Sequence, residues 1–322
     1  MTSPYAGRRV LLVDALDHDR TGHAGLRLRA LERLGCEVHG LDLRRPTGLL
    51  QRWRARGTGE RLVQALQQYR PELVLVVDTA AVPGAQVLEL KREHRATWAA
   101  WFVGEACTLA DIEAVGSMYD ALFVPGSDLV ERVRGPAMPP VLHLEPGCDP
   151  SVHRQVPARD QFRANVVFAG AATPYRETML SGLVEFGLAL WGPGWRRTGL
   201  RDYCRGEETR LDDFVRAYAG ASVAVNVHRE GAGRTATGCN HRVFEVAAIG
   251  VPQVVDERAD LALHFLPGQE LLTFVTAAEL RAHVQALLQD PPAAERMAQA
   301  ARQRVLAEHT YMHRITTILA RT

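Results

Sequence analysis

Short, continuously apolar runs alternate with amphipathic stretches through the first half of the chain. Residues 10–13 read as a buried strand, 24–34 as a helix with leucines at helical spacing, and 37–41 as a second strand. The alternation continues with a helix over 60–69, a strand over 73–77 that is too apolar to be half exposed, and a helix over 85–94. Strands over 98–103 and 121–124 follow, then a helix over 127–134 with Ser127 as its expected cap. Strands that are apolar along their whole length and separated by helices predict a parallel sheet covered on both faces.

Gly135 and prolines 136, 139, 140, 146, 150 and 157 then oppose a continuing helix or a central strand, which places an interdomain linker at about residues 145–160. Beyond it the alternation restarts. Strands are expected over 165–169, 188–191, 223–227 and 253–255, with helices over 176–186, 211–218 and 243–249. Residues 278–322 read as almost entirely helical, broken at Asp290-Pro291-Pro292. The pattern predicts an α/β protein of two Rossmann-like domains, residues 1–150 and 151–322, with a helical C-terminal tail. In such sheets ligands lie outside the carboxyl ends of the strands, which here means a central cleft between the domains.

Composition narrows the function classes. A length of 322 residues suits two domains, and 47% hydrophobic with 23% charged residues suits a globular chain rather than a disordered one. A net charge of +1 argues against a nucleic-acid or anionic-lipid partner, so any phosphate site must be local. Lys91 is the only lysine among 38 basic residues. The five cysteines (Cys36, Cys107, Cys148, Cys204, Cys239) are widely spaced, without a C-x-x-C pair or zinc-ligand spacing, which predicts a reducing, cytoplasmic setting and no metal. Neither a signal-type apolar stretch nor a membrane-length one is found in the sequence.

The segment from Asn240 to Asp256 carries the most chemistry. A polar turn holding Gly238, Asn240, His241 and Arg242 enters a short helix whose first amides can bind an anion, and Gly250 and Pro252 stop it before the next strand. Glu245 in that helix either accepts two hydrogen bonds from a vicinal diol, such as a ribose, or caps its own helix amides. The loop from Gly170 to Arg176 follows the first strand of the second domain, where a tight turn lets backbone approach a phosphate. Arg176 is then either a phosphate contact or a surface residue of a helix's first turn, and Arg242 either a phosphate contact or the ion-pair partner of Glu245. Asn226 and His228 end another strand on the ligand side; His228 reads equally as a satisfied core or rim histidine.

These residues resemble the nucleotide-binding signature of GT-B glycosyltransferases. The pattern N-x-R-x-F-E followed by A-x-G-x-P, at Asn240 to Pro252, is similar to the CgeB-like branch of group 1 enzymes. Further segments occur in the family's order: Val167-Phe168-Ala169-Gly170 with Arg176, Leu190 to Trp195, Val225 to His228, and His309-Thr310-Tyr311 with Arg314. The N-terminal half fits more loosely, through Tyr119 to Phe123 and Pro146 to Pro150. The resemblance implies a metal-independent transfer of sugar from a nucleoside-diphosphate donor, held by the second domain, to an acceptor on the first. It implies that Glu245 holds the ribose, that Arg242 and Arg176 flank the diphosphate, and that Gly192 to Trp195 meets the nucleobase, Trp195 either stacking on it or packing in the core. It also implies that the last helix, about residues 300–322, packs back on the first domain, against a reading of its arginines and histidines as an anionic-ligand surface. Retaining relatives carry a second glutamate eight positions before the ribose glutamate. Here that position is Thr237, which leaves anomeric outcome and turnover open.

In the first domain, Asp17-His-Asp-Arg-Thr-Gly22-His23 lies between strand and helix, and His23 is a candidate contact to acceptor or donor phosphate. Asp14 with Asp17 alternatively suggests a receiver-like acidic pocket. Glu105, after the 98–103 strand, is the candidate general base, against a solvated loop glutamate. The competing classes are a sugar-nucleotide epimerase, which needs more carboxylates near the sugar, and a non-catalytic nucleotide-sugar-binding or surface-assembly protein.

Overall fold

The computed structural model describes residues 3–16, 22–44, 58–77, 79–82, 84–103, 107–133, 135–207, 210–229 and 237–322. The chain divides into two units, Met1–Glu145 with Tyr311–Thr322, and Pro146–Thr310. The first contains β1 (Arg9–Val13), α1 (His23–Arg33), β2 (Glu37–Leu41), α2 (Thr58–Tyr69), β3 (Leu73–Val76), α3 (Gly84–Glu93), β4 (Thr97–Trp101), α4 (Leu109–Val115), β5 (Ala121–Val124), α5 (Ser127–Arg132) and β6 (Val141–His143). Its strands run parallel in the order β2-β1-β3-β4-β5-β6. The central strands are buried, whereas β2 at the edge alternates exposure, as a strand covered on one side does.

Local chemistry explains where these elements depart from expectation. Helix α4 begins at a capping box: Thr108 Oγ1 accepts the Asp111 N–H at 3.2 Å while the Asp111 carboxylate accepts the Thr108 N–H at 2.9 Å. Helix α5 is preceded by Gly126 without a side-chain cap, so Ser127 is its first residue and not its cap. Strand β6 forms inside the proline-rich stretch because it is an edge strand, where missing donors are tolerated. Pro140 contributes only its carbonyl, which accepts the Leu122 N–H at 3.0 Å.

The second unit contains β7 (Ala164–Ala169), α6 (Pro174–Ser181), β8 (Leu188–Trp191), β9 (Cys204–Gly206), α7 (Leu211–Ala219), β10 (Ala221–Asn226), α8 (His241–Ile249), β11 (Gln253–Asp256), α9 (Leu261–His264), β12 (Leu272–Phe274), α10 (Ala277–Gln289) and α11 (Pro291–Glu308). Its sheet is also parallel, in the order β12-β11-β10-β7-β8-β9. Starting from β7, the chain builds outward through β8 and β9, then returns to the other side for β10, β11 and β12. That is the Rossmann order, and the reversal opens a crevice beyond the ends of β7 and β10.

At the helical break, Asp290 accepts the Ala293 N–H at 3.0 Å and Pro291 occupies the first turn of α11. Helix α11 stays with the second unit, packing on α8, where Arg302 Nε donates to the Ala248 carbonyl at 3.2 Å. The segment that joins the first unit is α12 (Tyr311–Leu319), so it begins at Tyr311 and not near residue 300. There it packs on α1; Arg314 Nε donates to the Glu145 carbonyl at 2.9 Å and Arg8 to the Leu319 carbonyl at 2.8 Å. Arg302, Arg304 (to Glu270) and Arg314 thus bond to protein groups, which favours packing over an anionic-ligand surface. No helix among the described residues is long and apolar enough to cross a membrane.

Candidate functional site

The crevice at the ends of β7 and β10 is assembled by glycines that let two loops cross. Gly192 has φ +119°, and a Cβ there would lie 2.6 Å from the Gly170 carbonyl oxygen, so only glycine fits. The Gly170 N–H donates to Trp191 O at 2.8 Å, and Ala172 N–H to Pro193 O at 2.9 Å, locking the loop after β7 to the loop after β8. Thr173 caps α6 by accepting the Arg176 N–H at 3.2 Å, with Pro174 in its first turn.

Two arginines converge on the ring of Phe168, near the end of β7. The Arg176 guanidinium carbon lies 5.3 Å and that of Arg242 lies 5.8 Å from its centroid. Arg176 is buried and is not a surface residue; its Nε donates to Val227 O and its Nη1 to Ala171 O, both at 2.9 Å. It therefore ties the loop after β7 to the loop after β10. Arg242 is only partly buried and reaches Gly170, where a Cβ would approach its Nη1 to 3.2 Å. Its Nε is 3.4 Å from Asn226 Oδ1. Beneath them the Tyr218 hydroxyl accepts the Ala169 N–H at 3.0 Å, and burial pushes that phenol up to about 12.

Three polar residues read as candidate ligand contacts build the entrance to α8. Asn226 and Asn240 exchange amide hydrogen bonds in both directions at 2.9 Å, and the Asn240 carbonyl oxygen also caps the helix by accepting the Val243 N–H at 3.3 Å. His228 is 2% exposed. Its Nδ1 lies 2.6 Å from Asp256 Oδ1, and its Nε2 accepts the Asn240 backbone N–H at 3.0 Å. The same carboxylate oxygen accepts the His228 backbone N–H at 2.9 Å, and Arg258 Nη2 stands 3.4 Å from the other oxygen. Burial alone would raise the Asp256 carboxyl, but His228 and Arg258 outweigh it and hold the group below the usual carboxylate range. Asn226 and His228 are framework here, because both side chains already have their partners inside the protein.

Because Asn240 is the cap, Glu245 lies a turn further along α8 and does not close a capping box. Its Oε1 is 3.5 Å from His153 Nε2, with both side chains nearly enclosed. His153 Nδ1 accepts the Asp149 N–H at 3.0 Å, which places the ring proton on Nε2, toward Glu245. His241 opens α8 and is partly buried. Of the two readings of Trp195, packing holds: it is 0% exposed, its Nε1–H donates to Gly170 O at 2.8 Å, and its ring meets Phe168 edge-on. No face is left for a nucleobase, so it packs.

Residues 176–320, most of the second unit's site among them, match the model of a family described as glycosyl transferase-like. Solved structures extend the likeness to nearly the whole chain. Sucrose-phosphate synthase from Thermosynechococcus elongatus superposes with a TM-score of 0.70 over 98% of each chain at 14% identity. The fold is GT-B. HepE of Anabaena, solved with UDP and glucose, gives 0.67 over 98% of this chain and 100% of that one at 12% identity. AviGT4, a glycosyltransferase involved in avilamycin A biosynthesis, gives 0.61 over 97% and 96% at 16% identity. Comparison with curated protein sequences finds no match.

In the first unit of this GT-B chain, Glu105 and Asp17 lie outside the described residues, while His23 is the exposed first residue of α1, after Gly22. Asp14 is buried against Arg27, Nε to Oδ2 at 2.7 Å. Sequence reasoning missed Asp256, Tyr218 and His153. The one legible signal was a carboxylate closing an apolar strand, Gln-Val-Val-Asp256, beside the reversal of strand order.

Proposed function

We propose that the protein is a glycosyltransferase that binds a nucleoside-diphosphate sugar at the β7/β10 crevice and passes the sugar to an acceptor held by the first unit. The observation that carries this reading is the pair of guanidiniums on Phe168, beside the glycine crossing and the first turn of α8. Two like charges gathered at the ends of parallel strands, next to helix amides, suit a diphosphate. In this reading Arg242 and the α8 amides stabilise the leaving diphosphate without a metal ion, and Arg176 holds the two loops around it. Glu245, steadied by His153, accepts the ribose hydroxyls. Gly170, Gly192, Asn226, Asn240 and His241 shape the pocket wall, and Glu105 or His23 supplies the base on the acceptor side. The fold and the family match over residues 176–320 support the reading, as does HepE having been solved with UDP and glucose. The order of motifs resembles that of the CgeB-like branch, and five thiols suit a reducing cytoplasm.

One observation favours a catalytically silent binding protein of the same fold: the Thr237 hydroxyl donates to buried Asp260 at 2.9 Å, a framework contact where retaining relatives place a carboxylate. Thermal shift against UDP, GDP, dTDP, CDP and ADP tests the common step. One diphosphate should raise Tm selectively, because a ligand that binds only the folded state stabilises it. No response to any of them overturns the reading. Donor hydrolysis or transfer in excess EDTA separates enzyme from binder, and activity lost to EDTA and restored by manganese overturns the metal-free mechanism.

A further inference from the structure

The His228–Asp256 pair has a geometry that a merely buried histidine does not need. His228 stands two residues beyond β10 and reaches the turn that starts α8 with Nε2, which accepts the Asn240 backbone N–H. An imidazole nitrogen accepts only when it carries no proton. Asp256 Oδ1, 2.6 Å from Nδ1, places the proton on Nδ1 and keeps the Nε2 lone pair toward Asn240. Asn240 is the residue through which α8 is both capped and bound to β10 by the Asn226 amide pair. The tautomer of one ring therefore sets the position of the first turn of α8.

We propose that His228 is a pH-sensitive positioning residue for the nucleotide site: neutral, with its proton on Nδ1, it holds Asn240 and the α8 entrance in place, and its protonation releases them. On protonation an Nε2–H would face the Asn240 N–H, so an accepted bond becomes a contact between two donors. The charged groups on the elements packed here are Asp256 on β11, which meets Nδ1, Arg258 beyond β11, which meets Asp256, Arg242 on α8, which reaches Asn226, and Arg176 on α6, which bonds the carbonyl of Val227 next to His228. Asp260 lies further out, on Thr237 at the far end of the turn. The nucleotide part of the proposal rests on the donor-site reading above, whereas the hold on Asn240 does not.

Two measurements keep these apart. In the ligand-free protein labelled with 15N-histidine, the His228 ring nitrogens should report a proton on Nδ1 and an unprotonated, hydrogen-bonded Nε2 at neutral pH; a proton on Nε2 overturns the proposal whether or not a nucleotide binds. UDP titrations are then run from pH 7.5 down to 5.5 on the wild type, His228→Gln and His228→Phe. A glutamine amide oxygen can replace Nε2 as an acceptor but does not titrate, and phenylalanine offers no acceptor. Wild-type affinity should fall about tenfold on acidification, the scale of one lost hydrogen bond. His228→Gln should lose that dependence, and His228→Phe should be weak throughout. Parallel pH profiles for wild type and His228→Gln overturn the switch, because His153 and His241 would then carry the dependence. If the wild type binds no nucleotide at pH 7.5, the donor-site reading fails. The hold is then read by hydrogen exchange of residues 237–243: acid-induced loss of protection in the wild type but not in His228→Gln supports it, and equal loss overturns it.

Discussion

The two sheets reverse their strand order at comparable places and fill the resulting crevices in opposite ways. In the first unit the reversal lies between β1 and β3, and Asp14 at the end of β1 is closed by Arg27 from α1 at 2.7 Å. Arg27 is in turn enclosed by aromatic rings, 5.7 Å from the centroid of Trp101 and 6.0 Å from that of Tyr311 on α12. A buried cation there has a carboxylate partner and two ring faces. Burial works against the charge, but Asp14 prevails and the guanidinium is raised above its ordinary value. In the second unit the reversal between β7 and β10 gathers two arginines on one phenylalanine, held through backbone carbonyls and an asparagine. One crevice is an internally paired joint; the other collects like charge next to a helix entrance. The contrast shows why equal topology does not make equal sites: strand order supplies the crevice, and the side chains decide whether it binds anything.

The largest effect is expected where the paired joint is broken. Arg27→Met leaves Asp14 buried without its cation and should cost about 3–5 kcal/mol in chemical denaturation; a loss below about 1 kcal/mol would mean that the joint is not closed as described. Arg242→Ala tests the other crevice. It should weaken binding of the preferred nucleoside diphosphate by about 1.5–3 kcal/mol, the scale of a charged hydrogen bond, with little change for the bare nucleoside in calorimetric titration. Equal losses for both ligands would indicate a folding defect. Trp195→Phe keeps an aromatic ring but removes the donor to Gly170 O, and should lower stability by about 1–3 kcal/mol without altering which nucleotide is preferred. Unchanged stability with altered preference would restore a stacking role. The smallest effect concerns acid. Asp256 titrates below its ordinary 3.8 in the folded chain, so its contribution is complete above that value and is lost as pH falls through the lower, folded one. Asp256→Asn should flatten that part of the stability profile, and a profile identical to wild type would remove the carboxylate from the pairing.

The depth of burial explains which elements could be read in advance. Strands β1, β3, β5 and β8 announce themselves because both faces are covered and, apart from Arg9 at the start of β1, every position is apolar. Strands β6, β9 and β12, three residues each and at or next to sheet edges, are too short for any period to show. Among site residues, the turn from Gly238 to Arg242 was legible as a helix entrance from its polar residues followed by an apolar run. Trp195 was not legible, since a tryptophan after a strand looks the same whether its ring lies inside or out.

By itself, the sequence determined that there are two parallel α/β sheets, that the break at 290–292 ends a helix, and that glycines and arginines stand at strand ends in the second half. Those are local matters, set by side-chain apolarity along a strand, by the missing N–H of proline and by chain order. Tertiary structure alone decided that Gly192 is required by a carbonyl 2.6 Å away, that Arg176 faces inward to bridge two loops, and that Asp256 and His228, 28 residues apart, form one hydrogen-bonded unit. The physical reason is that a buried polar group is satisfied by whatever the packing of distant strands brings within about 3 Å, and chain order does not encode that distance.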